Sequence, residues 1–76
     1  MNYKQYFSNR LKELKDKKGL SWEALIYSAG LTKGVITDLK NAKVDPKLST
    51  ICKLAAALEM TPSQLLDFDI DLSELD

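Results

Sequence analysis

Three times along this chain an apolar residue is followed at once by Ser or Thr and, four residues beyond that hydroxyl, by a second apolar residue: Leu20-Ser21 with Leu25, Leu31-Thr32 with Ile36, and Met60-Thr61 with Leu65. This spacing is a helix start signal. The hydroxyl oxygen accepts an orphan N–H of the first turn, and the apolar pair clamps the entering chain across that turn. The third instance adds Pro62 at the first helical position and Gln64 two residues later, which completes a capping box. Gly19 and Gly30 stand just ahead of two of these starts, where a helix stop belongs. Three such starts in 76 residues leave room for little besides short helices and tight turns.

Apolar spacing extends the pattern to five helical segments. The first runs from Tyr3 to Lys18, with Tyr3, Phe7, Leu11 and Leu14 on one face and Lys4, Arg10, Lys12, Lys15 and Lys17 on the other. Lys17 and Lys18 suit the negative end of its dipole. The second covers Trp22 to Ala29. The third covers Lys33 to Asn41, with Val35, Ile36 and Leu39 inward and Asn41 able to take a left-handed end. A loop with Asp45-Pro46 follows. The fourth covers Leu48 to Glu59, with Leu48, Ile51, Cys52, Ala55 and Leu58 on one face, so that Cys52 is expected as a small buried hydrophobe. The fifth starts at Thr61 and reaches Leu66 or Asp67. The expected fold is all-α, one domain over residues 1–66. A domain this small buries only about 60–65% of the surface of its unfolded chain, and a partner subunit would add to that.

Charge divides the chain where the helices end. Lys and Arg number 11, as do Asp and Glu, for a formal net charge of zero. Five of the acids (Asp67, Asp69, Asp71, Glu74 and Asp76) lie in residues 67–76, which carry no base, so residues 1–66 hold six acids against 11 bases, a balance of +5. A basic body with an acidic tail is a sign asymmetry: the body can attract phosphates, and the tail weakens that attraction unless it points away. Within the tail, Phe68, Ile70 and Leu72 alternate with acids, the period of an edge strand. So short a strand needs a partner. A second copy of the same segment would supply one; a solubilising end and an internal DNA mimic that shields the basic face are the other readings.

Several function classes are disfavoured at the outset. There is no His, and the single Cys52 permits no internal disulfide. A zinc site or a His-based triad has nothing to be built from. An enzyme is not expected, nor a cofactor or a small-molecule substrate. No apolar run approaches a membrane span and no leader is evident, so the expected compartment is the cytoplasm.

The unit 21–41 is two short helices joined by a turn containing glycine, the pattern of a helix-turn-helix. The DNA major groove, about 12 Å wide, admits one α-helix. The second helix of such a unit enters it, and the first crosses the backbone.

The run Leu11-Lys12-Glu13-Leu14-Lys15, Gly19 to Leu25, Ala29-Gly30-Leu31-Thr32-Lys33-Gly34-Val35-Ile36-Thr37-Asp38-Leu39, Pro46, and Leu54-Ala55-Ala56-Ala57-Leu58 resembles the Cro/C1-type (Xre-like) helix-turn-helix family of phage and bacterial repressors. The likeness covers about residues 7 to 66 and implies a compact five-helix lambda-repressor-like domain. It implies a transcriptional regulator of repressor type that binds double-stranded DNA as a homodimer. Base-edge readers would be Lys33, Gly34, Thr37 and Asp38; Trp22, Asn41 and Lys43 would hold the phosphate backbone.

Departures from the family pattern are informative. Ile26 stands where the family has Ala, and Ala42 where Gly is frequent. Lys15 and Lys40 occupy the positions of a common Arg–Glu pair, and two cations there would turn outward toward phosphate. The rival reading is a protein-interaction or antitoxin-like module on the same scaffold.

Overall fold

The computed structural model describes residues 2–74. It contains α1 (Tyr3–Lys17), α2 (Trp22–Ala29), α3 (Lys33–Lys40), α4 (Leu48–Ala57), α5 (Pro62–Leu65) and a final 3₁₀ turn, Leu72–Glu74. No strand occurs among the described residues. The five helices match the sequence reading, with ends that differ by a residue or two.

Each expected cap forms. Ser21, Thr32 and Thr61 accept the backbone N–H groups of Ala24, Val35 and Gln64. A fourth was not anticipated: Asn2 accepts from Gln5 N–H while the Gln5 side chain accepts from Asn2 N–H, a capping box that starts α1.

The helix exits share one geometry. Gly19, Gly30, Ala42 and Glu59 all have left-handed φ, between 56° and 69°. At each, paired backbone bonds close the last turn, as with Gly30 N–H to Tyr27 and Leu31 N–H to Ile26. The residues after three of these exits, Leu20, Leu31 and Met60, pack against the core and also serve as the first member of the next helix's apolar clamp. One side chain thus ends one helix and starts another, which fixes the angle between consecutive helices. Asn41 is able to take the left-handed position, but its φ is −92° and Ala42 takes it instead. The helix ends at Lys40, and the chain turns one residue beyond Asn41.

Leu11, Leu25, Leu39, Leu54, Leu58 and Leu65 are fully buried, at least one from each helix or its end. Helix α4 packs on α2 and α5, and α1 packs on α3 and α5. The buried stripe of α4 comprises Leu54, Ala55 and Leu58 with half-buried Ile51. This corrects the expected face, because Leu48 is 72% exposed and Cys52 is exposed. At about 100° per residue Cys52 lies roughly 120° round the helix from Leu58, beyond the stripe shared with α2 and α5.

Beyond α5 the chain lies along α1 as an irregular segment, and the Phe68 ring stacks on Tyr6 with centroids 6.5 Å apart. Asp71 accepts from the N–H and hydroxyl of Ser73, which starts the closing turn. Asp76 of the expected acidic tail lies outside the described residues.

Candidate nucleic-acid interface

Helix α3 is built to show one face and bury the other. Ile36 and Leu39 are buried and Val35 is half-buried, while Lys33, Gly34, Thr37, Lys40 and Asn41 are exposed. Residues 33, 37 and 40 are spaced four and three apart, so they line one outer stripe. The turn ahead of it is held by left-handed Gly30 and by Thr32, whose Oγ1 accepts from Val35 N–H at 3.4 Å. Gly34 leaves the first turn of α3 without a side chain, and a Cβ there would meet nothing closer than 4.0 Å. Its small size therefore serves no internal packing.

Asp38 is half-buried at the edge of this stripe, beside the loop to α4. Its carbonyl accepts from Lys43 N–H at 2.9 Å, which folds the loop back on α3 and keeps Lys43 near its exit. Thus Lys33, Gly34, Thr37 and Lys40 share the outer stripe of α3, with Asn41 and Lys43 at its exit. Trp22 belongs to a different setting. At the first position of α2 it is half-buried and packs against the core.

The cations of the body differ in their pairing. On α1, Arg10 pairs with Glu13 at 2.9 Å, Lys12 with Asp16 at 2.9 Å, Lys17 with Glu13 at 3.8 Å and Lys15 with Asp16 at 2.6 Å. Hydrogen bonds from Lys12 and then Lys15 pull the Asp16 carboxyl down to about 2 from its ordinary 3.8. Lys33, Lys40, Lys43 and Lys47, on and after α3, form no ion pair among the described residues. Lys4 on α1, Lys18 at its end and Lys53 on α4 likewise form none there, so α3 and the following loop hold four of the seven cations without an ion pair among the described residues. No tail carboxylate pairs with a Lys or Arg among the described residues.

Lys15 overturns the expectation that it turns outward. Its side chain is 9% exposed, its Nζ donates to Leu20 O at 3.3 Å, and the ammonium lies over the Trp22 ring. The Asp16 carboxylate, the Leu20 carbonyl and the aromatic face together meet the charge that the missing partner would have met.

Some contacts that hold this face had no local sequence signal. Ser8 Oγ, buried, donates to Lys40 O at 3.0 Å and pins α1 to the last turn of α3. Tyr3 donates to Asp45 Oδ2 at 2.8 Å and ties the loop after α3 to the start of α1. Arg10 donates to the carbonyls of Gln64 and Leu65 and so fixes α5. Only the Asn2-x-x-Gln5 capping box was readable in advance.

The α2–turn–α3 unit, with its outward basic stripe, defines a helix-turn-helix domain. The chain belongs to the Cro/C1-type helix-turn-helix DNA-binding domain family, whose model matches residues 10–71. At the level of class it is a DNA-binding regulator. The restriction-modification controller protein C.AhdI from Aeromonas hydrophila has a similar structure, with a TM-score of 0.73 and 37% identity over 78% of this chain and 89% of that one. An HTH_3 family transcriptional regulator from Vibrio cholerae has a TM-score of 0.77 and 28% identity over 84% of this chain and 36% of that one. No curated protein matches the chain. No described helix is long and apolar enough to cross a membrane.

Proposed function

We propose that the chain is a repressor-like transcriptional regulator that reads duplex DNA in the major groove with α3. Lys33 and Thr37 donate to base edges, Asp38 accepts from a cytosine amino group, and Gly34 lets the helix backbone approach the groove floor. Lys40, Asn41 and Lys43 hold phosphates at the α3 exit, and Trp22 offers its indole N–H to the backbone at the start of α2. The observation that carries this reading is the run of four cations on α3 and its loop, Lys33, Lys40, Lys43 and Lys47, none of them in an ion pair among the described residues, whereas Arg10, Lys12, Lys15 and Lys17 of α1 are paired. A lysine already neutralised by a carboxylate has little to gain from a phosphate, whereas a free one releases counterions when it binds.

The active form is a homodimer on a two-fold operator with half-sites about 34 Å apart, acting in the cytoplasm. Exposed Leu66 supports it, since it lines an apolar groove with Tyr3, Pro46, Ile51 and Phe68. Clustered exposed apolar surface of this kind marks an association face. The tail passes along the same groove.

The test is duplex affinity as a function of salt for the wild type, Lys40→Ala and Lys43→Ala. Each variant should weaken binding to all sequences alike and flatten the salt dependence by about one unit of slope. A wild-type chain with no salt-dependent affinity for duplex would leave the protein-interaction reading in its place. Sedimentation of Leu66→Glu tests the dimer separately: a lighter species is expected, and an unchanged mass would remove that face from the assembly.

A further inference from the structure

We propose that α1 contributes a phosphate seat of its own: the cleft between Gln5 and Asn9 on α1 and Lys40 and Asn41 at the end of α3 receives a phosphodiester of the bound duplex. This rests on the DNA-binding reading above and extends the contact surface to a helix that reading leaves out.

The cleft has a volume of about 380 Å³ and is lined by Gln5, Ser8, Asn9, Lys40, Asn41 and Ala42. No carboxylate is among these residues. Lys40 brings a cation without an ion pair among the described residues, and Asn41 is exposed. Gln5 is oriented by the capping box: its Oε1 accepts from Asn2 N–H at 2.8 Å, which leaves the amide NH₂ as the end free to donate outward. Buried Ser8 holds the two walls together through its bond to Lys40 O. A rigid cleft with a cation, amide donors and no acid is chemically matched to a phosphate oxygen.

Position favours the duplex backbone as the source of that phosphate. The α3 wall is the last turn of the helix, within three residues of Lys43. Successive phosphates of one strand advance about 3.4 Å along the duplex axis. A strand held at Lys43 therefore presents its neighbouring phosphates to residues within one helical turn of it.

The deciding variant is Gln5→Glu. Glutamate at this position retains the capping box, so α1 keeps its start, while the donor becomes a carboxylate facing the phosphate. Ser63→Glu, outside the cleft, serves as the control of equal charge. With a duplex of arbitrary sequence, Gln5→Glu should bind roughly tenfold more weakly than Ser63→Glu, at an unchanged unfolding midpoint. Side-chain amide resonances of Gln5 and Asn41 should shift in the wild type on adding duplex and stay in place with inorganic phosphate at equal phosphate concentration. Equal affinities for the two variants would overturn the seat while leaving duplex binding intact. So would amide shifts that inorganic phosphate reproduces in full. A wild-type chain that binds no duplex would remove both proposals.

Discussion

The Lys15 ammonium lies 4.9 Å from the centroid of the Trp22 ring, so the end of α1 and the start of α2 are joined by a cation resting on an aromatic face. Lys15 is nearly buried and its stem packs where a relative would place an ion pair, which makes Trp22 part of the internal scaffold as well as of the proposed backbone contact. Trp22 is also the one tryptophan of the chain, so its emission reports this contact alone. Lys15→Ala should expose the ring, shift its emission to longer wavelength and cost about 1–2 kcal/mol in chemical denaturation. Unchanged emission and an unchanged midpoint would contradict the contact.

Asp16 carries a pH dependence that follows from the same corner of the molecule. Lys12, then Lys15, hold its carboxyl at about 2 against an ordinary 3.8. A folded-state value below the unfolded one stabilises the fold above the unfolded value, and that contribution is lost as pH falls through the folded value. The wild-type unfolding temperature should therefore fall more steeply than that of Asp16→Asn as pH drops from about 4 to 2. Parallel curves for the two proteins across that window would show that the carboxylate contributes nothing to stability.

The four left-handed helix exits are unequal. Gly30 adopts its φ of 69° freely, and no atom would crowd a Cβ there. Gly30→Ala should therefore cost about 1–2 kcal/mol from backbone conformation alone. Ala42 holds a φ of 56° with a Cβ present, so Ala42→Gly should gain about 0.5–1 kcal/mol once the added chain entropy of glycine is set against the relieved strain. Thermal unfolding of the two variants checks both signs, and a stabilised Gly30→Ala or a destabilised Ala42→Gly would contradict the account.

The helices were legible because their punctuation is local. Ser21, Thr32 and Thr61 cap through bonds three residues away, and Leu20, Leu31 and Met60 clamp within one turn, so the sequence displays every partner. The α4 face was misread because Leu48, Cys52 and Ala55 form as regular a stripe as Leu54, Ala55 and Leu58. Only the placement of α2 and α5 selects between them. Lys15 was misread for a related reason: nothing local shows that Trp22 would arrive over its stem. The bonds from Ser8 to Lys40 and from Tyr3 to Asp45 join residues 32 and 42 positions apart. Such pairs become visible only once the helices are packed. The candidate DNA face was legible in outline, since caps and apolar spacing alone turn residues 33, 37 and 40 outward. Its charge contrast was not, because the pairing of the α1 lysines depends on side-chain geometry.

The central claim is that the exposed stripe of α3 chooses the sequence to which the chain binds. Selection of binders from a pool of random duplexes, run in parallel with the wild type and with Lys33→Ala combined with Asp38→Ala, tests it most directly. The wild type should enrich a two-fold symmetric motif, and the variant should lose or change the preferred bases at positions worth about 1–3 kcal/mol each while still binding duplex. Recovery of the same motif by both proteins would contradict the claim that α3 reads DNA through these residues.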